Sequence, residues 1–109
     1  MATMPESVTR YLDVAAEGDV ATLLDCFTDD AVVHDEGQTF HGHDEIERWR
    51  ETVTSRFTYT VTVLGSEKVS PDTWVVPVRL DGNFPGGTAH LQFLFTLRDG
   101  LISQLTIAP

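Results

Sequence analysis

The chain has 109 residues, 41% hydrophobic and 22% charged. That composition suits one domain over residues 1–109 and excludes a disordered segment. Seventeen Asp and Glu against seven Lys and Arg leave a formal net charge of −10, which repels nucleic-acid phosphates and anionic membrane surfaces, so neither is an expected partner.

In chain order, Thr3 is placed to cap a first helix, with Pro5 and Glu6 in its first turn. Val8, Tyr11, Leu12 and Ala15 then recur at helical spacing and form one apolar face. Gly18 reads as the stop, and Asp19 as the cap of a shorter helix whose buried side is Leu23, Leu24 and Phe27. Ala31 to Asp35 reads as a short strand ending at Glu36-Gly37. Asp44 and Glu47 have the spacing of a capping pair for a third helix, with Ile46, Trp49 and Val53 as its buried stripe and an end near Ser55.

From Phe57 the period changes to two. Phe57, Tyr59, Val61 and Val63 alternate with threonines, a strong strand signal. Ser70-Pro71-Asp72 is a turn, and Thr73 to Leu80 is the next strand, with Trp74, Val76, Val78 and Leu80 on one face. Pro77 inside that run predicts an edge or bulged position. After a long turn from Asp81 to Gly87, Leu91, Phe93, Phe95 and Leu97 alternate with polar residues. Arg98-Asp99-Gly100 is a tight hairpin turn, and Leu101 to Ile107 the last strand. Helices followed by a run of antiparallel strands predict an α+β fold.

Asp35 is the acid of most interest. It ends an apolar strand and shares parity with Ala31 and Val33. On an inner face it points into an apolar cavity, where desolvation favours the neutral acid and suits it to proton abstraction near neutral pH. The bland reading is a strand-ending turn residue. Tyr11 lies on the apolar face of the first helix, so its hydroxyl needs a partner, either a backbone carbonyl or a ligand oxygen. His34, His41, His43 and His90 have no metal-ligand spacing, so neither metal nor cofactor is expected. Cys26 cannot form an internal disulfide and reads as core packing. The Gly82 to Gly87 stretch lacks the lysine of a phosphate loop. No apolar run reaches the roughly 18–20 residues of a membrane span. Met1 to Glu6 lacks a basic segment followed by an apolar stretch, so a cytoplasmic location is the default expectation.

Arg10-Tyr11-Leu12, Glu17-Gly18-Asp19, Phe27 to Asp35, then Gly42 and Ile46, with Arg98 to Ile102 at the end, resemble the SnoaL-like and ketosteroid isomerase-like members of the nuclear transport factor 2-like superfamily. The resemblance implies a cone: three helices from the amino-terminal half packed on a curved mixed, mostly antiparallel sheet around an apolar pocket. It further implies a homodimer through the outer sheet face. By position, Tyr11 matches the tyrosine that donates to the substrate carbonyl, and Asp35 the aspartate general base. The family's second, protonated acid falls on Gln92 or, with a turn one residue shorter, on Phe93, which strand parity favours; neither is an acid. Arg79-Leu80-Asp81 resembles the Arg-x-Asp pair of the epoxide hydrolases, but the last strand lacks their further aspartate.

Two functions follow as expectations. One is acid/base chemistry on a small apolar carbonyl compound, an isomerase or cyclase, with Trp49, Phe57, Trp74 and Phe93 shaping the pocket and Gln92 beside it. The other is a non-catalytic small-molecule binder or dimerising scaffold, with His90, Gln92 and Arg79 as a partner surface.

Overall fold

The computed structural model describes residues 4–17 and 19–109. The expected cap at Thr3 and helix stop at Gly18 lie outside those residues. The chain runs α1 (Glu6–Val14), α2 (Val20–Leu24), β1 (Phe27–Asp35), β2 (Gln38–His41), α3 (Gly42–Arg56), β3 (Tyr59–Val63), β4 (Glu67–Ser70), β5 (Thr73–Gly82), β6 (Thr88–Arg98) and β7 (Leu101–Ala108). Three helices pack on one seven-stranded sheet of order β2-β1-β7-β6-β5-β3, with β4 also paired to β5. β1 and β7 are parallel, and every other pair is antiparallel. This is the expected α+β cone. No helix among the described residues is long and apolar enough to cross a membrane.

The helices form where their apolar stripes meet the sheet. Val8, Tyr11, Leu12 and Ala15 are buried on one side of α1 and its C-cap. Asp19 caps α2 as expected, its carboxylate accepting from the Thr22 backbone N–H at 3.2 Å and the Thr22 hydroxyl at 2.7 Å. The start of α3 differs from expectation. Its N-cap is His41, and Glu45 accepts from the His41 N–H at 2.9 Å in place of an Asp44–Glu47 pair. Glu45, one turn into the helix from His41, reaches back to that donor.

Two strands are additions to the expected order. β2 and β4 have four residues each. β2 closes on β1 through the two-residue turn Glu36-Gly37, both with positive φ, as a tight hairpin requires. Pro77 is not on an edge strand, since β5 is paired along both sides. It sits where β5 changes partner, between Val75, which pairs with Glu67 of β4, and Val78, which pairs with Val63 of β3. Its carbonyl there accepts from Leu64 N–H, and its missing N–H falls in the gap between two ladders.

The inner face carries the core: Ala31, Val33, Val76, Val78, Phe95 and Leu105 are fully buried against Tyr11 and Ile46. Between Thr96 and Leu97 the β6–β7 register slips by one residue, leaving Ser103 extra on β7. That bulge lets Ile102 and Leu105, three apart, both point inward. Trp74 is buried opposite Phe95, toward the closed end of the sheet.

Candidate active site

Beyond Phe93, toward Leu91, Ala89 and Leu80, the core stops being filled and a cavity of about 540 Å³ opens. Tyr11 on α1 and Ala15 at its C-cap, Trp49, Arg50 and Val53 on α3, Tyr59 and Val61 on β3, and Asp35 at the end of β1 contribute to its wall. A volume of that size fits a small organic ligand.

Asp35 reaches the cavity because β1 ends there, paired with Gln38 in the hairpin and with Ile107 of β7. Its side chain is half-buried. Trp49 Nε1–H donates to Asp35 Oδ2 at 3.0 Å, while Oδ1 makes no hydrogen bond among the described residues. Phe40 of β2 stacks on Trp49 at 5.8 Å and 29° and so fixes the indole that orients the carboxylate.

Tyr11 is almost fully buried. Phe27, Phe93 and Phe95 meet its ring edge-on at 5.8, 6.2 and 5.6 Å. Its hydroxyl has no hydrogen-bond partner among the described residues. Burial raises its pKa above the ordinary 10.0, with the Arg50 cation acting in the opposite direction. The group therefore stays a neutral phenol, a donor, at any physiological pH.

Of the expected site residues, Asp35, Tyr11, Trp49, Phe57 and Phe93 share this cavity. Trp74 and Gln92 do not. Trp74 fills the closed end of the cone, and Gln92 is exposed on the other face of β6, beside Pro77 and Glu67. Of the two positions matching the second acid of ketosteroid isomerases, Phe93 is the inward one, as parity predicts. Arg79 and Asp81 pair on the surface at 3.0 Å, half-exposed. His34 Nδ1 lies 3.1 Å from Thr39 Oγ1, away from Asp35, and His43 Nε2–H donates to Phe27 O at 3.2 Å. Cys26 is buried, and burial pushes its thiol pKa up.

Arg50, Tyr59 and Phe40 were not singled out by the sequence reading. Arg50 carried a signal: with Ile46, Trp49 and Val53 it completes an i, i+3, i+4, i+7 stripe, so a cation stands at a core position of α3. Tyr59 also had one, since it alternates with Phe57 and Val61 on the strand face that lines the cavity.

A helix-backed cone with an apolar-walled cavity, an acid held by an indole and a phenol in its wall, defines the class: a protein of nuclear transport factor 2-like fold. A model of the SnoaL-like domain matches residues 8–105. The chain belongs to that family. A candidate polyketide cyclase from Sinorhizobium meliloti is 35% identical, with a TM-score of 0.89 over 95% of this chain and 94% of its own. The Δ5-3-ketosteroid isomerase from a Mycobacterium species is 21% identical, with a TM-score of 0.79 over 94% and 89%. A Mycobacterium tuberculosis protein solved with estradiol-17β-hemisuccinate is 19% identical, with a TM-score of 0.78 over 93% and 88%. The latter two are similar in fold. A search of curated proteins finds no match.

Proposed function

We propose that the protein is an acid/base enzyme acting on a small apolar carbonyl compound, of isomerase or cyclase type, with Asp35 as general base and Tyr11 as oxyanion donor. One observation carries it: Asp35 and Tyr11 line the same cavity. The free Asp35 Oδ1 accepts a proton from the carbon next to the carbonyl. The Tyr11 O–H donates to the oxygen on which negative charge then grows. The protonated Asp35 returns its proton to a different carbon, which shifts the double bond and balances the step without a co-reactant. Membership of a family that includes isomerase-like and cyclase-like proteins supports the reading.

The test is turnover of a panel of β,γ-unsaturated ketones, including a steroid enone precursor. Asp35→Asn keeps the Trp49 bond but removes the base, and is expected to lower kcat by several orders of magnitude. Tyr11→Phe removes one oxyanion donor and is expected to cost about 10²–10³-fold in kcat. A wild-type protein inert toward the whole panel overturns the proposal. Phe93 at the second acid's position favours one other reading, a binder without turnover. On that reading the ligand binds equally well to Asp35→Asn.

A further inference from the structure

Arg50 is 4% exposed and lies in the cavity wall. Its Nη2 donates to Ala15 O and to the Tyr59 hydroxyl, the latter at 2.5 Å, and Tyr59 O–H donates on to Ala15 O at 3.4 Å. The guanidinium carbon stands 4.8 Å over the Trp49 ring. All of these partners are neutral. Nε is fully buried with no acceptor among the described residues, and Nη1 makes no hydrogen bond among them either. No carboxylate lies within 4.0 Å of Arg50 among those residues, where the ion pairs are Arg10–Glu6, Arg79–Asp81 and Arg98–Asp30. Asp35, the acid on the same wall, gives an oxygen to Trp49 instead.

Asp35 favours the Arg50 cation only through space, and a buried cation with no counter-charge in direct contact is costly, by several kcal/mol per ion before compensation. Neutral acceptors replace only part of the lost hydration. The cost is explained if the counter-charge arrives with a ligand.

The distribution of charge around the cavity points the same way. The chain carries seven cationic side chains and seventeen acids. Three of the cations, Arg48, Arg50 and Arg56, line this cavity, against two acids, Asp35 and Glu36. The cavity lining is therefore net positive in a protein of net charge −10. Arg48 and Arg56 are exposed at its rim, and Arg50 is the buried member. The rest of the wall is apolar and aromatic, with Phe40, Trp49, Phe57, Val61, Leu91 and Phe93.

We infer that the cavity binds a ligand with an apolar body and one carboxylate, the carboxylate facing Arg50 and the body facing the aromatic wall. A guanidinium matches a planar carboxylate in shape and charge and loses little hydration on contact. A single buried cation favours a monoanion over a phosphate dianion. The inference deepens the proton-transfer reading by naming its substrate class, an unsaturated or keto acid, but the binding it claims does not require Asp35 to act.

The experiment is calorimetric titration with 2-naphthoate and with 2-naphthylmethanol, which share a body and differ in charge. Wild-type protein is expected to prefer the carboxylate by about tenfold or more, and raised salt to shrink the gap. Arg50→Met is expected to erase the preference by weakening the carboxylate alone, and Arg50→Lys to restore part of it. Equal affinities, a preference for the alcohol, binding of neither compound, or a preference that survives Arg50→Met overturns the inference. Should Arg50→Met fail to fold, the wild-type pair decides alone. Asp35→Asn is expected to keep the preference. Loss of turnover with the preference intact thus sinks only the proton-transfer reading, and turnover without the preference sinks only this one.

Discussion

At the scale of single residues, the buried and the exposed acids answer different questions. Asp35 has one oxygen tied and one free among the described residues, as the base role proposed for it requires. Asp19 has both oxygens engaged by Thr22, which is the state a cap needs. Those bonds hold the Asp19 carboxyl below its ordinary 3.8. A carboxyl depressed by folding adds stability above its unfolded value, and that stability is lost as pH falls through the folded value. Asp19→Ala is therefore expected to lower the midpoint of thermal unfolding at pH 7. The gap from wild type should close below about pH 3.8. A gap that persists undiminished into that acid range would mean the effect comes from helix propensity and not from the cap. Arg50 shows the limit of reading residues singly. Its place on the stripe of α3 was visible in the sequence, but its lack of a carboxylate in contact among the described residues is a fact about several elements meeting, and no spacing rule reports it.

At the scale of elements, the long and strongly periodic ones were legible and the short ones were not. The α1 stripe, the Phe57 to Val63 alternation and the Asp99-Gly100 hairpin appear in the structure where their patterns put them, with β3 starting two residues late at Tyr59. β2 and β4 are four-residue strands with mostly exposed side chains, so they lack the apolar alternation that marks a strand. They exist because a neighbour offers an unpaired edge, which is information from elsewhere in the chain. Pro77 was expected on an edge or at a bulge; it lies at a break in the pairing, and that gap is made by two other strands ending. Gly82 is a further case. It pairs with Tyr59, and a Cβ there would lie 2.5 Å from Thr58 O and 2.6 Å from Tyr59 Cβ. Backbone atoms cannot yield cheaply, so Gly82→Ala must push the start of β3 away from β5. The expected cost is about 1–3 kcal/mol in urea unfolding. Because Tyr59 holds Arg50, the variant is also expected to weaken 2-naphthoate more than 2-naphthylmethanol. Unchanged stability would show that β3 and β5 are not held as closely as described.

At the scale of the whole molecule, the cavity is a product of incomplete filling. The sheet curves around α1 and α3, and Trp74, Phe95 and Leu105 fill one end. At the other end the inward positions shrink to Ala89 and the chain leaves space. A core that could have been packed with a larger side chain there was not, and unfilled apolar volume is destabilising. Ala89→Phe tests whether that space is what the protein uses. Ala89 sits on β6 opposite Leu80, half-buried, and touches none of Asp35, Tyr11 and Arg50 through a hydrogen bond or ion pair. The larger ring is expected to occupy the cavity, leave the urea midpoint unchanged or slightly raised, and weaken both naphthyl compounds together by about tenfold or more. A loss shared by the charged and the neutral ligand separates exclusion from electrostatics, since Arg50 variants spare the alcohol. Full retention of both affinities in a folded Ala89→Phe protein would place the ligands outside the cone. Asp35, Tyr11 and Arg50 would then be structural neighbours without a common substrate.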